Sequence, residues 1–575
     1  MKHVKSWTPL SYLVGARLPV ENIIAKISLF ERRETLFTLS RIAGDLANAE
    51  GGVSGAEARA WTYDLLVQRV GSDDPWEDAV SRAISARDPA ATSVVHAHVV
   101  FVLQVLVLKH GVDDGRRASD AELAFLMLAL NDHLPEWAEE PRALTEVEST
   151  VGSMLFSAIF NQTSDDPVRF VLRMVEIIGA PLRDGPVGAS DWELIQKEAF
   201  GCSFTQYAEK FLVPIFSLSN GWGAEVPPVL HHSAWGRGRP VGTLYERWFR
   251  EASASIEAAA SRETEVPGNF SLPGEFYRTP FLHIDGRLLA LSPWHVRDHA
   301  SLGTWGKLNA ACKVVLKTSS NQRFTSAFGY LFERWCAAVA QEAASYKRFQ
   351  GRLILPTAPG ASDEIEDVVL VDAGRIVLFS AKSTLVAEAS LKCAKNRSVI
   401  VDWLERFFFD DPTQAKKSGY RGGALRLLDQ KVQRIRAGEY EDRGLGRHFV
   451  IVPVVVAFDN LGESGALYKW IEHRCSQLGI LSARSAVRSV TILTPDDYEG
   501  VFALGSRGKS IASLLVEKTR AIERLGRMDR FLMNRVKDGR ELRLPEMEAR
   551  FHALYERSLE QLRNAGVFDD ADTTR

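Results

Sequence analysis

Residues 362–383 read SDEIEDVVLVDAGRIVLFSAKS. Two short apolar runs flank Asp372-Ala373-Gly374-Arg375, the pattern of two strands joined by a tight turn. The spacing predicts a first strand over 367–371 and a second over 376–382. With Val371 facing Ile376, Asp367 falls opposite Ser380, and directly opposed residues hold their Cβ atoms about 4.5–5.5 Å apart. Side chains alternate along a strand, so Ser380 and Lys382 are expected on one face with Asp367, and Glu366 on the other. Val368, Leu370, Val377, Phe379 and Ala381 make the opposite face apolar as well, which implies a sheet covered on both sides. An acid and a lysine at one end of such a sheet are costly unless they pair or take part in chemistry.

The surrounding chain supplies the rest of an α/β unit. Apolar spacing predicts a helix over 324–346, a strand over 352–355 and a mixed helical and loop region over 384–440. HFVIVPVVVAF at 448–458 reads as a strand buried on both faces, with Pro453 suggesting a bulge or an edge position. A short strand is expected at 489–493, and Thr494-Pro495-Asp496-Asp497 then opens a helix. Thr accepts the free N–H groups, Pro fits the first turn, and the acids suit the dipole. Strands separated by helices argue for an α/β sandwich.

The block 320–505 resembles the PD-(D/E)XK superfamily, the restriction-endonuclease-like nucleases. Asp367 matches the Asp of the first core strand, and Ser380-Ala381-Lys382 occupies the acid-X-Lys tripeptide of the next. FGYLFERW at 328–335 resembles the opening helix, whose Glu, here Glu333, faces the site. ALRLLDQKVQRI at 424–435 resembles the helix after the core and carries Gln430. The resemblance implies a mixed central sheet flanked by helices, and metal-assisted hydrolysis of DNA or RNA phosphodiesters. Mg²⁺ is the implied cofactor, with Mn²⁺ as a substitute. Asp367 would hold the metal, Lys382 would be the catalytic lysine, and Ser380 stands where the second acid belongs. The missing charge would come from Glu333 or from Glu388; otherwise the domain is an inactive nuclease-like module that binds nucleic acid or protein. Substrate contact falls to a basic loop with Lys416, Lys417 and Arg421, leading to Gln430; Lys392, Lys395 and Arg397 form a second basic cluster.

Elsewhere the chain reads as a multidomain protein, mainly helical at the N-terminus. The expected divisions are a helical region over 1–220, a turn-rich mixed region over 221–320, the nuclease-like block over 321–505 and a charged helical tail over 506–575. The helical region could serve as a sensor or bind a protein partner; helices alone imply no ligand. Phe281-Leu282-His283-Ile284, Asp285-Gly286 and the residues to Leu291 form a hairpin signal. His295 and His299, four apart, fit a polar helix end, and Arg237-Gly238-Arg239-Pro240 an ordinary loop that matches the core of an AT-hook.

Composition sets the outer bounds. The chain has 575 residues, 46% of them hydrophobic, and a formal net charge of −3, so any nucleic-acid surface must be local. Its five cysteines show no CxxC spacing, which argues against a zinc ribbon and fits a reducing cytoplasm. The most apolar run, 94–109, is shorter than a membrane span and reads as a buried helix. Modules of the resembled kind joined to large helical regions look like effectors of restriction or anti-phage defence, an analogy at the level of fold.

Overall fold

In a computed structural model of the chain, the described residues are 10–51, 75–85, 97–133, 143–152, 167–180, 182, 185–215, 229–231, 247–262, 279–284, 287–292, 295–296, 299–356, 365–383, 397–409, 423–459, 461, 465–481, 486–520 and 527–564. Among them, helices surround two mixed sheets. The smaller sheet contains β1 (Val229–His231), β2 (Ser253–Ser255), β3 (Phe281–Ile284) and β4 (Arg287–Ala290), in the order β1-β4-β3-β2. The larger contains β5 (Arg352–Ile354), β6 (Val368–Asp372), β7 (Arg375–Lys382), β8 (Val450–Ala457) and β9 (Thr491–Leu493), in sequence order. In the larger sheet β5, β6 and β7 run antiparallel, and β7, β8 and β9 run parallel.

The turn between β6 and β7 fixes the register. Ala373 and Gly374 have φ of 48° and 75°, positive at both central residues as a type I′ turn requires. Val371 then faces Ile376, and Val368 faces Phe379, the pairing that the sequence predicts. The hairpin of β3 and β4 likewise forms, with Phe281 opposite Ala290.

Alternation along the strands sends each sheet's side chains into two different cores. In the larger sheet Val368, Leu370, Val377 and Phe379 face one core, while Val369, Ile376 and Leu378 face another. The first face is covered by α2 (Gln322–Ala344), α4 (Pro495–Ser506) and the helix Ile511–Lys518, and α1 (Pro167–Ile178) and α5 (Pro545–Asn564) join the same core. The second is covered by Arg397–Phe408, α3 (Ala424–Ala437) and Gly465–Leu478. The result is helix, sheet, helix in three layers. The smaller sheet lies between cores too: Leu282, Ile284 and Leu289 meet the helices of 10–130, while Phe281, Leu288 and Ala290 join the first core of the larger sheet.

Several sequence expectations take a more specific form. The run at 94–109 is a buried helix, Ala97–His110, whose Gln104 side chain donates to Leu291 O at 2.7 Å. Thr494 caps α4 with its hydroxyl accepting from Asp497 N–H, and Asp497 returns the bond to Thr494 N–H. Pro453 sits in an interior strand instead of at an edge. Ile451 N–H donates to Ala486 O, so residues 451, 453 and 455 turn their backbone groups toward β9. The ladder on that side is interrupted between the Ile451–Val487 bridge and Val454↔Thr491, and the N–H that proline lacks falls in this gap. The helices after residue 506 do not present only a solvated face: Ile511, Leu515, Phe531 and Leu554 are buried in the core of α2 and α4.

The turn offers a direct check. Ala373 adopts the left-handed region at a cost that Asn largely avoids. Ala373→Asn is expected to raise unfolding stability by about 0.5–1 kcal/mol, read from the midpoint of urea denaturation at an unchanged slope.

Candidate active site

The candidate site lies where β7 and β8 end together. Lys382 pairs with Ala457 in the parallel register, and Phe458 N–H donates to Lys382 O at 2.9 Å. The carboxyl ends of parallel strands are where α/β sheets place their ligands. On the other side of β7, hydrogen-bonded pairs alternate from Asp372↔Arg375, so 366 and 381 would form the next such pair. The ladder stops short of it. Asp367 lies in a bend before β6, and its Oδ2 accepts the Ala381 N–H at 2.6 Å. A side chain has replaced a backbone carbonyl as the acceptor, which holds the carboxylate in the opening between the strands.

This position shapes the electrostatics. Burial pushes the Asp367 carboxyl well above the usual carboxylate range; the Glu366 charge adds to this, the Lys382 ammonium opposes it, Glu333 raises it further, and the Ala381 N–H lowers it. Asp367 and Glu366 are each 6% exposed, while Lys382 and Glu333 are half-buried. Charged groups from α2, the approach to β6 and the end of β7 therefore act on the Asp367 carboxyl. Ser380, one register step from the ladder and opposite Asp367, is 0% exposed, and its hydroxyl has no hydrogen-bond partner among the described residues. Of the expected residues, Lys382 and Glu333 each act on the Asp367 charge, and the Ser380 hydroxyl does not bond the Asp367 carboxylate.

The remaining expected residues are placed differently. Gln430 is exposed on α3, next to Asp429, whose carboxylate accepts from Leu481 N–H at 2.8 Å. Arg397 donates to Ser149 Oγ at 2.7 Å, a contact that ties the N-terminal region to this block. Glu388, Lys392, Lys395, Lys416, Lys417 and Arg421 lie outside the described residues, as does the 237–240 loop. His295 and His299 are buried, at variance with a polar helix end. His295 stacks edge-on to Phe101 and burial drives its pKa down to about 3, while His299 Nε2 lies 3.3 Å from the Tyr207 hydroxyl.

A second polar group backs the site through α2, and nothing local in the sequence announces it. Arg173 of α1 is 3% exposed; it donates to Asp496, and its Nε donates to Glu499 Oε1 at 3.0 Å. Its guanidinium also lies 5.7 Å from the centre of the Trp335 ring. Glu176, one turn on, accepts from Trp335 Nε1 at 3.1 Å and from Arg550 Nε at 2.6 Å. Cys336 stands between the two groups: burial pushes its thiol well above the ordinary value, and charges on Asp367, Glu333, Arg173 and Glu499 all reach it. Tyr498 O–H donates to Cys336 O at 2.9 Å and locks α4 to α2.

Among the described residues no group of three His, Cys, Asp or Glu side chains is arranged to hold a metal ion. Asp367 keeps Oδ1 available beyond the Ala381 contact, with Glu366 and Glu333 nearby; one or two carboxylates, completed by water and phosphate oxygens, are what Mg²⁺ commonly takes. No helix among the described residues is long and apolar enough to cross a membrane.

Glu499 yields a pH prediction. Burial raises its carboxyl to about 7, against the pull of Arg173 and with the push of Asp496 and Glu176. The folded state thus keeps a proton that the unfolded chain has released, between the ordinary value of 4.5 and about 7. Stability falls as pH rises through this window. Glu499→Gln retains an acceptor for Arg173 and removes this titration, so Tm measured from pH 5 to 8 is expected to flatten in the variant (~1–3 pH units span the window).

No protein-family model, no curated protein and no solved structure matches the chain.

Proposed function

We propose that the five-stranded unit hydrolyses phosphodiester bonds of a nucleic acid, DNA or RNA, with Mg²⁺ or Mn²⁺ as cofactor. The observation that carries this reading is the Asp367 carboxylate held by the Ala381 N–H at the open end of β7, where the charges of Lys382 and Glu333 act on it. The order of elements supports a restriction-endonuclease-like fold: an opening helix with its Glu, an antiparallel hairpin with Asp and Lys, then a helix followed by a parallel strand.

In this reading each residue has a defined task. Asp367, pinned by Ala381 N–H, would offer its second oxygen to the cation. A bound divalent ion would polarise the phosphoryl group and acidify a coordinated water. Lys382 leans its ammonium toward the charge that builds up on the phosphate oxygens. Glu333, from α2, would supply a further negative charge beside the cation. Lys416, Lys417, Arg421 and Gln430 would follow the backbone of the substrate, a contact that places the strand without reading its bases. A part in restriction or anti-phage defence, with the N-terminal helices meeting a protein partner, is an extension by analogy of fold.

A second reading rests on Ser380. A neutral hydroxyl stands where the resembled pattern has an acid, which favours an inactive module that binds nucleic acid or protein. Incubation of the full chain with linear, circular and single-stranded substrates separates the two. Cleavage that EDTA abolishes, with Asp367→Ala and Lys382→Ala each lowering the rate about 100-fold or more, supports the hydrolase. Unchanged cleavage in either variant removes that residue from the site. Salt-sensitive binding without cleavage supports the binding module.

A further inference from the structure

We infer that the opposite end of the larger sheet, around the β6–β7 turn, is a second surface that holds the phosphate backbone of a nucleic acid, through Arg348, Arg352, Arg375, Arg443 and Lys509. This surface is separate from the candidate active site and does not depend on hydrolysis. β7 spans eight residues, Arg375–Lys382, which puts about 23 Å between its two ends.

The topology gathers these residues from separate parts of the chain. Arg375 opens β7 and pairs with Val450 at the start of β8, and Arg352 opens β5 opposite Val371. The Arg352 guanidinium donates to Arg443 O at 2.5 Å, which brings in the segment before β8. A Cβ on Gly444 would fall 2.6 Å from Arg352 Nη2, so glycine there, at φ 74°, leaves the guanidinium its place. Gln350 donates to Gly508 O at 3.1 Å, and a Cβ on Gly508 would lie 3.5 Å from that of Arg348. Arg348 and Lys509 are therefore neighbours beyond the ends of α2 and α4. Arg375 Nη1 donates to Ser513 Oγ at 2.9 Å and joins the same group.

The positive charge here is local and largely uncancelled. The chain as a whole carries a formal net charge of −3. Among the described residues, Arg348, Arg352, Arg375 and Lys509 make no ion pair. Arg352 and Arg375 donate to neutral acceptors, a carbonyl and a hydroxyl; these bonds orient the guanidinium forks and leave further N–H groups for phosphate oxygens. The acids of this end are turned inward or engaged. Asp372 is buried and accepts from Ser510 Oγ at 2.5 Å and from Ala512 N–H at 3.3 Å. Glu441 accepts from Arg447 Nε at 2.6 Å, and Glu439 from Arg434 Nε at 2.6 Å. Asp442, exposed beside Arg443, offsets one charge. Among the described residues, no large apolar side chain at 346–352, 373–375, 441–449 or 507–510 is exposed. A membrane-inserting wedge or an apolar protein hot spot thus has no anchor here. Arginine forks in place of lysines suit bidentate contact with phosphate, and a nucleic-acid backbone supplies phosphates in a row.

The experiment is fluorescence anisotropy of a labelled DNA duplex and a labelled RNA strand with the full chain in EDTA, from ~50 to ~200 mM salt. Arg348→Glu with Lys509→Glu removes two phosphate contacts, and neither side chain makes a hydrogen bond among the described residues. This double variant is expected to keep the wild-type Tm, to bind about tenfold or more weakly at the lower salt, and to lower the slope of log K against log salt by about 2. Where its Tm falls, Arg348→Gln with Lys509→Gln serves, with the same loss of slope expected. Lys197→Glu with Arg250→Glu makes an equal change of net charge at exposed positions toward the start of α2, where Trp192 stacks on Phe324; it is expected to bind as wild type. Asp367→Ala is also expected to bind as wild type, whether or not the chain cleaves. Wild-type affinity and slope in the folded Arg348/Lys509 variant overturn this surface and leave the hydrolase reading standing, since cleavage is read separately. Equal loss in the Lys197/Arg250 variant, or a wild-type chain with no salt-dependent affinity for either nucleic acid, overturns it as well.

Discussion

The hydrogen bond from Ala381 N–H to Asp367 Oδ2 is the constraint on which the site depends. It takes the place of the next rung of the β6–β7 ladder, so the sheet ends on a carboxylate instead of a carbonyl. That exchange is what a buried acid needs in order to stay at the sheet end without leaving a backbone donor unmet. It also sets the direction of the remaining oxygen. Lys382, on the last residue of β7, and Glu333, from α2, then act on the same carboxylate. In the proposed function, a divalent cation with phosphate oxygens would join this group.

The sheet end is braced from both extremes of the sequence. Arg173 of α1 joins Asp496 and Glu499 of α4, and Arg550 of α5 joins Glu176 of α1 and Glu342 of α2. These bonds surround the part of α2 that carries Glu333 and Cys336. Removing Arg173, which is buried, leaves the charges of Asp496 and Glu499 uncompensated, which costs far more than losing a surface pair. The helices of 167–215 and 545–564 therefore share one hydrophobic core with the candidate site. A change at either end of the chain has a structural route to α2, the helix that presents Glu333.

What could be read from the sequence was local. The register of β6 and β7 followed from a four-residue turn, and the α4 cap from Thr494 and its acids, because both depend on neighbours within a few residues. That Asp367 and Lys382 stand at the same end of the β6–β7 hairpin was legible for the same reason. Asp367 leaving the strand to bond Ala381 was not, since alternation describes an unbroken ladder. Burial of His295 and His299 escaped notice because four-residue spacing does not say which neighbour covers a face; Phe101 and Tyr207 lie far off in sequence. Arg173 gave no sign either: its partners are more than 300 residues away, and its own helix reads as an ordinary amphipathic one. Pro453 argued for a bulge or an edge; the strand is interior, and the proline falls where its pairing with β9 is interrupted and the register shifts by one residue.

The most direct measurement is the position of Mn²⁺ in crystals of the full chain, located by anomalous scattering. The account predicts a single peak at the carboxyl end of β7, about 2.1–2.2 Å from a carboxylate oxygen of Asp367, with Lys382 Nζ on the same side of the sheet. A chain that shows no peak there, or an Asp367 carboxylate and a Lys382 ammonium facing away from each other, would contradict it.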